Sequence, residues 1–114
     1  MLIQSIHAAN SPGGFEWTDH AGLHAFFTSG ARTSRGQRSP SSLILDLTEE
    51  DIEDLIDLLW KGHLPVSRDG GVPIARQKSI AEENRVRDRG MCDWALKILC
   101  KGGIVTYTAS WGAR

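Results

Sequence analysis

His20 and His24 stand four residues apart. On a helix that spacing puts two imidazoles on one face, where they can share a metal ion or move a proton. Ala21 follows the first of them, so the glutamate that a metalloprotease helix carries there is missing. Asp19, Glu16, His7 and His63 are the other candidates for a third ligand, and no spacing ties any of them to the pair. Surface or half-buried histidines are the plainer reading of both residues.

A second group is acidic. Asp46, Glu49, Glu50, Asp51, Glu53, Asp54 and Asp57 are seven acids within twelve residues, with no base among them. Runs of charge commonly do no more than solvate a face. On a rigid helix they also make a docking surface, because a row of carboxylates can stand in for phosphates in the groove of a nucleic-acid-binding protein. The partner-binding set on this reading is Asp46, Glu49, Glu50, Glu53, Asp54 and Asp57.

The third group is basic. Arg32, Arg35 and Arg38 recur every three residues in the stretch ARTSRGQRSPSS. Farther on, Arg76, Lys78, Arg85, Arg87 and Arg89 are diluted by Glu82, Glu83 and Asp88. Guanidinium groups suit phosphate, so a nucleic-acid surface would use Arg32, Arg35, Arg38, Arg85 and Arg89. No aromatic residue is interleaved with the arginine loop, which leaves a base-stacking platform unsupported.

The elements that must position these groups are readable in outline. Leu43 to Leu47 is an apolar run of strand length. Thr48 after it is an N-cap, with Asp51 at the reciprocal capping-box position and Leu47 and Ile52 at staple spacing. Ile52, Leu55, Ile56 and Leu59 form one stripe of the helix that follows, and Glu50, Glu53, Asp54 and Asp57 take the opposite side. Lys61 and Gly62 end it. Leu2 to Ala8 reads as a strand. Phe15 to Gly30 reads as a short helix capped by Thr18, with Leu23, Phe26 and Phe27 inward. Ala31 to Ser42 is a loop by composition, and a small hairpin is expected around Asp69 to Gly71. Ile74 to Lys101 reads as one helical region, with a restart at Ser79 and an interruption at Gly90. Val105, Tyr107, Ala109 and Trp111 alternate with Thr106, Thr108 and Ser110, the clearest strand in the chain. Its late position predicts an edge strand, and through it a homodimer.

These elements define an α+β fold: one domain over residues 1–114, with a small antiparallel sheet of about three strands and about three helices on one face. A chain of 114 residues can bury a core without staples. Its formal net charge of −1 implies no overall attraction to a polyanion, although residues 58–114 hold ten Lys/Arg against five Asp/Glu. No stretch has the length of a membrane span, and MLIQSIHAANS is not a secretory signal. Cys92 and Cys100 on one helix would lie about 12 Å apart, too far for a disulfide, so both are read as reduced and the protein as cytoplasmic. There is no phosphate loop, no Rossmann glycine triplet and no Cys-x-x-Cys, and no cofactor is expected.

Three function classes follow, in this order. The first is a small non-catalytic interaction or inhibitor protein that docks a basic protein partner, nucleic-acid-binding proteins among the options, through the acidic helix. The second is a nucleic-acid-binding regulator. The third is a small enzyme using His20 and His24.

Overall fold

The computed structural model describes residues 1–9, 11–29, 32, 35–62, 64–66 and 72–111. In chain order the elements are β1 (Leu2–Ala8), β2 (Gly14–Thr18), α1 (Ala21–Phe27), β3 (Gln37–Ser39), β4 (Ser42–Asp46), α2 (Glu49–Lys61), α3 (Ile74–Glu83), α4 (Arg85–Cys100) and β5 (Val105–Trp111). The strands form a five-stranded sheet of order β2-β1-β5-β4-β3, and every pairing is antiparallel. The protein is a small α+β domain with that sheet packed against four helices, all counted among the described residues.

Period-two alternation puts one face of the sheet inside. Gln4, Ile6 and Ala8 of β1, Trp17 of β2, Leu43 and Leu45 of β4, and Val105, Tyr107 and Ala109 of β5 are all buried. The other face carries Ile3, Ser5, Ile44, Asp46, Thr106, Thr108 and Ser110, none of them buried. Leu23 and Phe27 of α1, Ile52 and Leu55 of α2, and Met91, Cys92 and Ala95 of α4 complete the core over the inner face. Each fully buried aliphatic side chain there contributes about 1.5–3 kcal/mol of transfer free energy.

The start of α2 is as its sequence implies. Thr48 Oγ1 accepts from the Asp51 backbone N–H at 3.2 Å, and Asp51 Oδ2 accepts from the Thr48 N–H at 2.9 Å. The helix stops at Gly62, whose φ of 72° is left-handed and suits glycine. Cys100 of α4 meets Glu49 at the beginning of α2, and Arg89 meets Trp60 near its end, so the two helices run antiparallel.

Four expectations are corrected. Phe15 and Trp17 belong to a strand, and Thr18 ends that strand instead of capping a helix; α1 begins after His20. The arginine-rich loop contains β3, a three-residue strand paired with β4. The late helical region breaks at Asn84, where the side-chain amide donates to the Ile80 carbonyl, and it runs unbroken through Ser79 and Gly90. The last strand is not at an edge. β5 is hydrogen-bonded to β1 on one side and β4 on the other, so it has no open edge through which a homodimer could form. The hairpin expected around Asp69 to Gly71 lies outside the described residues. No described helix is long and apolar enough to cross a membrane.

Candidate functional site

The acidic row and the arginine loop meet. Asp46, at the end of β4, and Glu49, Glu50, Glu53, Asp54 and Asp57 of α2 are all exposed, with Glu50, Glu53, Asp54 and Asp57 opposite the apolar stripe of the helix. Arg35 Nη2 donates to both carboxylate oxygens of the buried Asp51, each at 2.9 Å, while its Nη1 donates to the Asp46 carbonyl. Arg32 Nη2 donates to Asp54 Oδ2 at 3.0 Å, and its Nε lies 3.2 Å from Asp51 Oδ1. The same guanidinium sits 4.2 Å above the ring of Phe26. Guanidinium–carboxylate contacts of this geometry are the strong class of ion pair. Asp51, which the sequence marks as a cap residue within the acidic run and not as a docking residue, is thus the anchor of the whole contact.

The other acids differ in their partners. Asp57 pairs with Lys61, Asp46 accepts from Thr106 Oγ1, and Glu49 accepts from the Cys100 thiol. Among the described residues Glu50 and Glu53 have no cationic partner.

The five arginines proposed for nucleic acid fall in three places. Arg32 and Arg35 lie against the first turn of α2. Arg85 pairs with Glu82 at 2.8 Å, beside Gly62, and Arg89 stacks 4.0 Å from Trp60. The two groups are about 13 Å apart along the helix axis. Arg38 stands on the outermost strand, β3.

His20 and His24 do not share a ligand. His20 precedes α1, is fully buried, and its Nε2 lies 2.6 Å from Asp88 Oδ2. The other Asp88 oxygen accepts from Trp17 Nε1 at 2.9 Å. His24 Nδ1 lies 2.7 Å from the hydroxyl of Tyr107. No group of three metal-type side chains converges among the described residues.

A buried polar network connects these residues through Gln4. The His20 backbone N–H donates to Gln4 Oε1 at 2.9 Å, and Gln4 Nε2 donates to the His20 carbonyl at 3.1 Å. That pair of contacts fixes which way the amide points. Gln4 Nε2 therefore also donates to the Tyr107 hydroxyl oxygen at 3.1 Å, which leaves the Tyr107 proton for His24 Nδ1. His24 is consequently the neutral Nε2–H tautomer. Burial first, and the charge of Arg38 second, hold its pKa below the ordinary value. Burial likewise pushes the Tyr107 phenol far above its ordinary range, so it remains a hydroxyl. With Asp88 accepting from Nε2, the buried Nδ1 of His20 has no hydrogen-bond partner among the described residues.

Gln4, Asp88 and Tyr107 are absent from the candidate site residues that the sequence offers. Two of them leave a readable trace. Gln4 has the inward parity of Ile6 and Ala8, and Asp88 falls on the stripe of Met91, Cys92 and Ala95. A polar residue at a buried position needs a partner, and that need is the missed signal.

A groove of about 340 Å³ lies between the end of α2 and α3, walled by Leu58, Leu64, Pro65 and Ala81 and rimmed by Lys78, Glu82 and Arg85. No protein-family model, no curated protein and no solved structure matches the chain.

Proposed function

We propose that this is a small docking protein that presents the outward face of α2 to a basic protein partner. The observation that carries the reading is the seating of Arg32 and Arg35. The N-terminal half of the helix already holds two guanidinium groups, one of them bidentate on Asp51, and so displays the chemistry a basic partner would use. Glu50 and Glu53 stand beside that contact, exposed and without a cation among the described residues. The capping box keeps the helix that carries them rigid, which lowers the entropy lost on association. The nucleic-acid alternative draws less support, since Arg32 and Arg35 are committed to Asp51 and Asp54.

The test is a nuclease-treated affinity capture from host lysate, comparing the natural chain with a Glu50→Lys, Glu53→Lys double variant. These two changes break no ion pair described above, so circular dichroism should be unchanged, and because Glu50 lies in the first turn of α2, where a cation opposes the helix dipole, the thermal midpoint should fall only slightly. A captured basic protein should be lost from the variant, and its binding to the natural chain should weaken steeply with salt. An identical capture profile for both chains, or material released by nuclease, overturns the proposal.

A further inference from the structure

A second surface, independent of the acidic helix, is assembled where α1 packs on β5, on the side of the sheet that continues through β4 to β3. Arg38 pairs in register with Leu43, so its side chain leaves the sheet on the same face as that buried residue. It does so at the sheet's outermost strand, where it is exposed. No carboxylate pairs with it among the described residues. Leu43 pairs in turn with Ala109 of β5, which stands between Tyr107 and Trp111, the two rings that His24 packs against, so Arg38 and His24 belong to the same end of the inner face. The ring of His24 meets Trp111 edge to face, with centroids 5.3 Å apart. Trp111 is itself held in place, its Nε1 donating to the Pro40 carbonyl at 3.0 Å and its backbone N–H to the Ser41 carbonyl at 2.9 Å.

The buried network decides what His24 offers. Gln4 orients Tyr107, Tyr107 donates to Nδ1, and the proton of the imidazole is therefore on Nε2. Nε2 has no partner among the described residues, on a side chain that is half-buried. An oriented N–H donor, an unpaired guanidinium and a fixed indole wall are thus gathered at one place, with no acid among them. Neutral imidazole next to a cation is the arrangement that accepts an anion without repelling it or competing with it for a proton.

We propose that His24, Arg38 and Trp111 form a binding site for a phosphate group, either free or carried on a small ester. Arg38 supplies the charge, and His24 Nε2–H supplies a directed hydrogen bond. Trp111 walls the site on one side. Gln4 and Tyr107 are positioning residues: they do not touch the anion, but hold His24 in the donating tautomer.

The test is histidine-ring and indole NMR at fixed ionic strength, near neutral pH. Before any addition, the His24 ring nitrogens should show the Nε2–H pattern. Inorganic phosphate, adenosine monophosphate and adenosine are then titrated separately. The His24 ring and the Trp111 indole should shift together and saturably with the first two. Arg38→Gln should weaken this binding about tenfold or more, the loss of one charge-assisted hydrogen bond, with the tautomer pattern unchanged. Arg38→Lys should recover part of it. Equal affinity for the two phosphates would assign the site to phosphate itself, and tighter binding of the nucleotide to an ester. The proposal is overturned by an Nδ1–H pattern or by the absence of saturable shifts. Affinity unchanged in Arg38→Gln, or adenosine alone giving the same shifts, overturns it equally.

Discussion

The side-chain amide of Gln4 sets the direction of the protons from β1 to His24. Reversing it would turn an amine toward the His20 N–H and an oxygen toward the His20 carbonyl, two repulsive contacts in a buried place. Because the amide cannot turn, His24 must be neutral when the network is intact, and that has a consequence for stability. The pKa of His24 is lowered in the folded chain, so below the ordinary value of 6.5 the unfolded chain binds the proton first. More protons on the unfolded state mean stability that is intact above that pH and lost as pH falls through the ordinary value toward the native one. A urea series from about pH 7 to pH 5 should show this loss. His24→Gln, which has nothing to titrate, should flatten the profile across that window. A slope unchanged by the substitution would remove His24 as its source. Burial, with the nearby Asp88 charge, pushes the Cys92 thiol up to about 12, and a thiol held there is not a nucleophile.

The helix that is most legible from its sequence, α2, is the one whose signals are local. Its cap, box, stripe and closing glycine all lie within sixteen residues, Leu47 to Gly62. Elements that depend on distant partners were less legible. β3 is Gln37-Arg38-Ser39, a polar triplet that is a strand only because β4 pairs with it. β2 resembles a helix lead-in until Trp17 is seen to donate to Asp88, far along the chain in α4. The acidic row was readable from spacing, but its contact with Arg32 and Arg35 is tertiary and leaves no periodicity. The histidine spacing misled because it assumes one continuous helix, whereas the His20 backbone, at φ −82° and ψ 73°, lies outside α1. Gly90 is another case. It sits inside α4, exposed, and a Cβ built there meets nothing within 4 Å. Gly90→Ala should therefore stabilise the protein by about 0.5–1 kcal/mol, read as a higher denaturant midpoint with unchanged slope. A lower midpoint would show that the glycine serves the helix in some other way.

Taken whole, the molecule is organised around its last strand. The alternation of β5 was plain in the sequence, but its place was not, because strand order depends on which edges find partners and composition does not encode that. Seven residues of β5 pair with β1 and five with β4, so the strand ties the two halves of the sheet together. Amide hydrogen exchange should reflect this. The β5 amides are expected to exchange only through global unfolding, while those of β2 and β3, each paired on one side, exchange faster. Comparable rates in β3 and β5 would contradict the observed order.

The placement of β5 also has a kinetic side. During synthesis on the ribosome, β1 through α4 emerge before residues 105–111 do. Until those residues clear the exit tunnel, β1 and β4 each wait with one edge unpaired and the inner face of the sheet incomplete. A nascent chain of this topology cannot close its sheet progressively. It must hold its exposed strands apart until β5 has emerged, the interval in which a holding chaperone matters most.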